Sequence, residues 1–215
     1  MNDIFRKAGT EFLATLLFVF AIVSAVSTAG DFAPIAIGFA LMVLVYSTGH
    51  ISGGHLNPAV SLGAFLRGAM SATEMVIYWV AQILGGVVGA LITRGVFSEA
   101  PTAAQIETAP AFIVETVFTF ILVWVVLNVA TSKDTDGNSF YGLAIGATVM
   151  TGAFAVGSIS GGGFNPAVAI SLAVNGNFDW GNIWLYIAAP LIGAALAAVA
   201  FRVFSPADHE QNVNA

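Results

Sequence analysis

The chain has 215 residues, 58% of them hydrophobic and only 8% charged, with a mean hydropathy of +0.89 and a formal net charge of −6. Soluble domains carry roughly 25% charged residues, so a water-coated globule is excluded and an integral membrane protein is expected. The acidic balance without a basic patch excludes nucleic acid as a partner; zero Cys excludes disulfides and thiolate metal sites, and 3 His without ligand spacing give no metal site and imply no cofactor.

Taken in chain order, residues 1–7 carry Arg6 and Lys7 ahead of an apolar stretch, as a signal peptide does. No small-residue cleavage site and soluble mature chain follow, so a retained first span is expected over 8–28, with Glu11 near its start. A second span is predicted over 33–49. Then comes His50-Ile51-Ser52-Gly53-Gly54-His55-Leu56-Asn57-Pro58-Ala59-Val60, leading into a short helix over 57–67. At 1.5 Å per residue such a helix reaches about 16 Å, half of a ~30 Å hydrocarbon core, so it is read as re-entrant. A third span is expected over 73–92 and a fourth over 111–131, the latter opening with Glu115. The fifth, over 141–157, is followed by Ser158-Ile159-Ser160-Gly161-Gly162-Gly163-Phe164-Asn165-Pro166-Ala167-Val168 and a second half-helix over 165–174. The sixth span, over 182–204, begins beside Trp180 and Trp184, which suit an interfacial belt.

The halves therefore repeat. Three spans per half is an odd number, so the second copy must lie upside down relative to the first, with the functional site at the midplane between copies. The expected fold is an all-α membrane protein of six transmembrane helices plus two re-entrant half-helices in an inverted 3+3 repeat. It forms a single channel domain over 1–215, with repeats at about 1–107 and 108–215. With the N-terminus inside, Arg6, Lys7, Arg67, Lys133 and Arg202 are cytoplasmic and only Arg94 is outside, as the positive-inside rule asks. The expected location is multi-pass in a prokaryotic inner (plasma) membrane, with both termini cytoplasmic. The polar stretches 133–138 and 205–215 read as solvated ends.

Asn is a strong N-cap and Pro fits the first helical position. Asn57 and Asn165 should cap their half-helices through the side-chain oxygen, leaving each NH₂ free to donate into a lumen. Pro58, Ala59, Pro166 and Ala167 complete the two motifs. Inversion sets the two helix N-termini face to face, each with roughly half a positive charge, a barrier to cations but not to neutral molecules. Upstream, Gly53, Gly54, His55, Gly161, Gly162 and Gly163 are expected to run as extended backbone presenting carbonyls to the pore.

These motifs, with Ala8-Gly9-Thr10-Glu11-Phe12 and Tyr78-Trp79-Val80-Ala81-Gln82, give the chain a resemblance to the aquaporin family (major intrinsic proteins) over essentially its whole length. Cation exclusion by half-helix ends is already known for aquaporin-type pores. The resemblance implies a passive, bidirectional channel for water or small uncharged solutes in a lipid bilayer, assembled as a homotetramer with one pore per subunit. The sequence departs from the family where most members follow the second motif with Arg: here stands Val168. The other constriction positions, transferred by ungapped spacing, fall on Ile37, Ala153 and Gly162. No member of this outer selectivity filter can donate a side-chain hydrogen bond, so a wider, less polar mouth is expected. Alternatively a bulky neighbour, Phe154, Phe164 or Phe32, folds in and restores a narrow filter. The Asp that follows the Arg in glycerol facilitators is replaced by Ala169.

Glu11 and Glu115 are carboxylates within apolar spans, functional candidates by default. They would serve a proton relay in an ion-coupled transporter or hold the re-entrant loops by accepting backbone N–H groups; their symmetric recurrence and the resemblance favour loop-holding. A non-conducting interaction protein is the third alternative. His55 is expected to offer its carbonyl to the pore and His50 to pack against loop groups, with a pH sensor as the rival reading. Ser24, Ser27, Ser52 and Ser61 form no recognisable nucleophile–base pattern, so no catalysis is expected. Spans three and six are crowded with small residues: Gly85, Gly86, Gly89, Ala90, Gly193, Ala194, Ala197 and Ala198. Sequence leaves open whether they pack within or between subunits.

Overall fold

Six helices of the structure, a computed structural model that describes residues 3–97, 101–103 and 105–205, are long and apolar enough to cross a membrane. They are α1 (Asp3–Thr28), α2 (Ala33–Ser52), α4 (Ala72–Val96), α5 (Thr108–Ala130), α6 (Tyr141–Ser160) and α8 (Ile183–Phe204). Between them lie two ten-residue helices, α3 (Pro58–Arg67) and α7 (Pro166–Asn175). The tail expected at 205–215 lies, beyond Ser205, outside the described residues.

Both α2 and α6 run three residues further than their apolar stretches. Their polar ends remain helical until a glycine in the left-handed region stops them, Gly53 at φ 92° and Gly161 at φ 85°. Each of these glycines closes its helix by donating its N–H to the carbonyl four residues back, on Gly49 or Gly157. They are helix stops before they are anything else.

Lipid offers helices no hydrophobic reason to associate, so close contact depends on small residues. A Cβ at Gly85 would stand 2.1 Å from the Phe12 carbonyl oxygen, and one at Gly89 2.4 Å from that of Leu16, which fixes α4 against α1. Gly193 does the same for α8 against α5, 2.4 Å from the Thr116 carbonyl oxygen. At these glycines the small-residue crowding packs helices within one chain. The two halves join where Gly38 of α2 meets Gly146 of α6. Each half-helix is seated on a long helix of the other half. Ser171 of α7 fills the space at Gly86 of α4, and Arg202 of α8 donates to the Leu66 carbonyl of α3.

Arg67, buried at the end of α3, donates to the Thr131 hydroxyl at 3.0 Å and carbonyl at 2.8 Å, and lies over the Phe201 ring. Lys7 pairs with Glu74 at 3.3 Å at the same end. Arg94 lies at the opposite end, on α4 beside Thr93, whose hydroxyl reaches Asn175 at the close of α7. Large apolar side chains such as Leu13, Val80, Leu84 and Leu196 face outward, as lipid contact requires.

Candidate pore

Asn57 adopts extended backbone at φ −155° and its side-chain oxygen accepts from Ala59 N–H at 2.8 Å, capping α3. Asn165, at φ −156°, accepts from Ala167 N–H at 3.0 Å and Val168 N–H at 3.3 Å. The caps are those expected, but the amide groups are not wholly free. Asn57 Nδ2 donates to the Phe164 carbonyl at 2.9 Å, and Asn165 Nδ2 donates to the Leu56 carbonyl at 2.8 Å. Each motif is thus tied to the residue preceding the other, and the two helix tips are held together. An amide carries two N–H groups, so the bond across the junction engages one hydrogen of each and leaves a second.

The accepting residues are themselves unusual. Leu56 sits at φ 50° and Phe164 at φ 47°, a left-handed conformation that side chains other than glycine rarely adopt. Gly54 at φ 62° and Gly162 at φ 69° are left-handed too, so the expected extended run is instead wound backbone. Winding turns successive groups to different sides: some N–H groups face inward to the carboxylates, while the Leu56 and Phe164 carbonyls face the opposite asparagine.

Glu11 and Glu115 are fully buried. Glu11 Oε1 accepts from the Ser52 hydroxyl at 2.6 Å and His55 N–H at 3.0 Å; its Oε2 accepts from Leu56 N–H at 2.8 Å and Gln82 Nε2 at 2.8 Å. Glu115 Oε1 accepts from Ser160 at 2.7 Å and Gly163 N–H at 2.8 Å, and its Oε2 from Phe164 N–H at 2.6 Å. Tyr78 donates to the Ser52 carbonyl at 2.7 Å, and Tyr186 to that of Ser160. Each loop is suspended from one carboxylate and one tyrosine.

A cavity of about 250 Å³ is lined by both asparagines and by all four positions expected to form the filter, Ile37, Ala153, Gly162 and Val168. Branched aliphatic side chains from α1, α2, α5 and α6 make up much of the remaining wall, among them Ile22, Leu41, Leu122 and Val149. Gly54, His55, Gly161 and Gly163 line it as well. Gly53 does not: it faces a separate cavity of about 480 Å³ beside Lys133 and Tyr141, although Gly161, the corresponding helix stop, lines the first. At the Arg94 end a third cavity, of about 860 Å³, shares Val26, Thr102 and Asn177 with the first.

Of the three phenylalanines named as alternatives for narrowing the mouth, Phe32 is 72% exposed and Phe154 53% exposed, both turned outward. Phe164 is 2% exposed and lines the cavity. His50 lies exposed near the end of α2 rather than packed against the loop. Ser61 Oγ and His55 Nδ1 are 3.0 Å apart, a serine–histidine contact the sequence reading missed. Ser61 is fully buried and also accepts from Gln82 at 3.1 Å, so its oxygen faces no substrate.

Residues 1–201 match the model of the family described as "Major intrinsic protein". The chain belongs to the major intrinsic protein family. It is 37% identical to aquaporin TIP1-2 of Musa acuminata over 97% of this chain and 91% of that one. It is 36% identical to glycerol uptake facilitator protein-like 6 of Lactiplantibacillus plantarum, over 94% of this chain and 100% of that one. Among solved structures, the aquaglyceroporin from Plasmodium falciparum shares the fold at a TM-score of 0.83, with 23% identity over 95% of this chain and 98% of that one. As a major intrinsic protein the chain is a passive membrane channel for water and small solutes.

Ser52, Ser160, Tyr78, Tyr186 and Gln82 were not singled out from sequence as loop supports. The serines and tyrosines were legible in principle, since each recurs at the matching place in both halves. Gln82 has no counterpart, the matching position being Pro190, and only the fold shows that it reaches Glu11.

Proposed function

We propose that this channel passes water together with uncharged solutes of the size of ammonia, urea or glycerol, and excludes cations through the abutting N-termini of α3 and α7. One observation carries the reading. The wall that holds Asn57 and Asn165 also holds Ile37, Ala153, Gly162 and Val168, none of which brings a charge or a hydrogen-bonding side chain. A solute crossing there meets amide hydrogens and loop carbonyls on one side and aliphatic surface on the other. The second N–H of each asparagine serves as the central donor, and positive potential at the paired helix tips opposes cations. One relative's description as a glycerol uptake facilitator and another's as an aquaporin support both arms of this solute range.

Glu11 and Glu115 hold the loops in this account. Their oxygens are engaged by loop donors, and neither lines the cavity, which speaks against proton-coupled transport. The chain acts as one channel domain of two inverted repeats, about 1–107 and 108–215. We infer a homotetramer in a prokaryotic inner membrane, and the clustering of cationic side chains at the end opposite Arg94 favours cytoplasmic termini.

The test is swelling of vesicles reconstituted with the protein, across water, ammonia, urea, glycerol and larger polyols. Water and the small solutes should pass with low temperature dependence and no ion gradient. Val168→Arg with Ala153→His should lower urea and glycerol flux while water flux persists. Unchanged solute flux in that double variant would remove the filter assignment.

A further inference from the structure

We infer that Phe164, rather than the four filter positions alone, sets the size limit of the pore; this rests on the channel reading above and names what bounds its substrate class. The ring edge of Phe164 occupies space that small residues leave open on two sides. A Cβ built at Gly152 of α6 would stand 2.7 Å from Phe164 Cε2 and 3.0 Å from Cζ, closer than any side chain fits. Across from it, a Cβ at Gly162 would lie 3.6 Å from the same Cε2 and 3.6 Å from Ala153 Cα. The ring edge therefore stands between Gly152 and Gly162, on the side of Gly162 that Ala153 also borders, and Phe164, Gly162 and Ala153 all line the cavity.

The residue is anchored through its backbone and backed on the side away from the cavity. Its backbone is fixed at φ 47°. Its N–H donates to Glu115 at 2.6 Å and its carbonyl accepts from Asn57 at 2.9 Å. Phe118 of α5 packs against the outer face, with ring centroids 5.5 Å apart. A side chain gripped at both backbone ends and backed by a second ring cannot swing out to admit a larger solute. A mouth lined by small and apolar residues would otherwise have its limit set by Ala153 and Gly162, which have little side chain to set it with.

Leu56 occupies the matching position of the first loop with the same left-handed backbone, at φ 50°, so leucine is compatible with that conformation. Phe164→Leu in reconstituted vesicles should raise glycerol and four-carbon polyol flux several-fold relative to water. Phe118→Leu, which loosens the support without touching the loop, should move the same ratio in the same direction by less. A purely structural role would lower all fluxes together and leave the ratio fixed, and that result in both variants overturns the inference. Wild-type vesicles no more permeable to water than empty ones would instead overturn the channel reading beneath it. The Val168→Arg, Ala153→His pair reports on the filter separately.

Discussion

The two re-entrant loops share a scaffold but are insulated differently. Each hangs from a buried glutamate, a serine and a tyrosine, and each passes its last carbonyl to the other's asparagine. Around the first loop the support is polar: Gln82 bridges Glu11 and Ser61, and Ser61 meets His55. The second loop has Pro190, Ala169 and Gly163 at the matching positions, none with a polar side chain. Its support is aromatic: Phe178 and Tyr186 stack at 4.4 Å against Gly161 and Gly163, and Phe118 backs Phe164. Directional hydrogen bonds fix a loop in one place, whereas ring packing fixes its volume. The proposed filter positions Gly162 and Val168 belong to the second loop and its helix, where space rather than hydrogen bonding is defined.

Removing a carboxylate gives the largest expected effect. Glu115→Ala leaves the Gly163 and Phe164 N–H groups and the Ser160 hydroxyl without their acceptor. Each buried orphan costs about 1–3 kcal/mol, so the unfolding temperature in detergent should fall sharply and water permeability should be lost. The amide variants separate the halves. Glu11→Gln and Glu115→Gln each set an NH₂ against a loop N–H, but in the first half Gln82 can turn its amide. Its Oε1 has no partner among the described residues and can accept from the new NH₂. Glu115→Gln should therefore be the more damaging of the two; equal loss of thermal stability would show that the Gln82 bridge compensates nothing.

The caps come next in size. Asn165 accepts from two backbone N–H groups and Asn57 from one. Replacing a cap by Ala costs about 0.5–2 kcal/mol, and Asn165→Ala should lie nearer the upper end. Both variants also lose a bond across the junction, so both should raise cation leak in vesicles under a potential. Stability should distinguish them more than leak does.

Much of this was readable in the chain itself. The six spans follow from apolar length, and the half-helices from Asn-Pro at their starts. The carboxylates betrayed themselves as charges in lipid. Helix ends at Gly53 and Gly161 were misplaced because apolar periodicity fades three residues before the hydrogen-bond ladder does, and the stop depends on a glycine's sign of φ. The engagement of the asparagine amides was invisible, since it pairs Asn57 with Phe164 and Asn165 with Leu56 across the whole chain. Phe164, Phe32 and Phe154 were equal on paper. Only packing turned two outward and one into the wall.

The smallest effect should come from making the first loop resemble the second. Ser61→Ala, matching Ala169, removes the acceptor for Gln82 and the partner of His55 while leaving all four bonds to Glu11 in place. Gln82 keeps its bond to Glu11, and His55 keeps its edge-on contact with Tyr78 at 5.3 Å between centroids. A net hydrogen bond contributes about 0.5–1.5 kcal/mol, so a modest drop in unfolding temperature is expected, with water and urea permeabilities unchanged. If permeability moved instead, the polar network would be shaping the lumen through His55, and the division between a fixed first loop and a size-setting second loop would not hold.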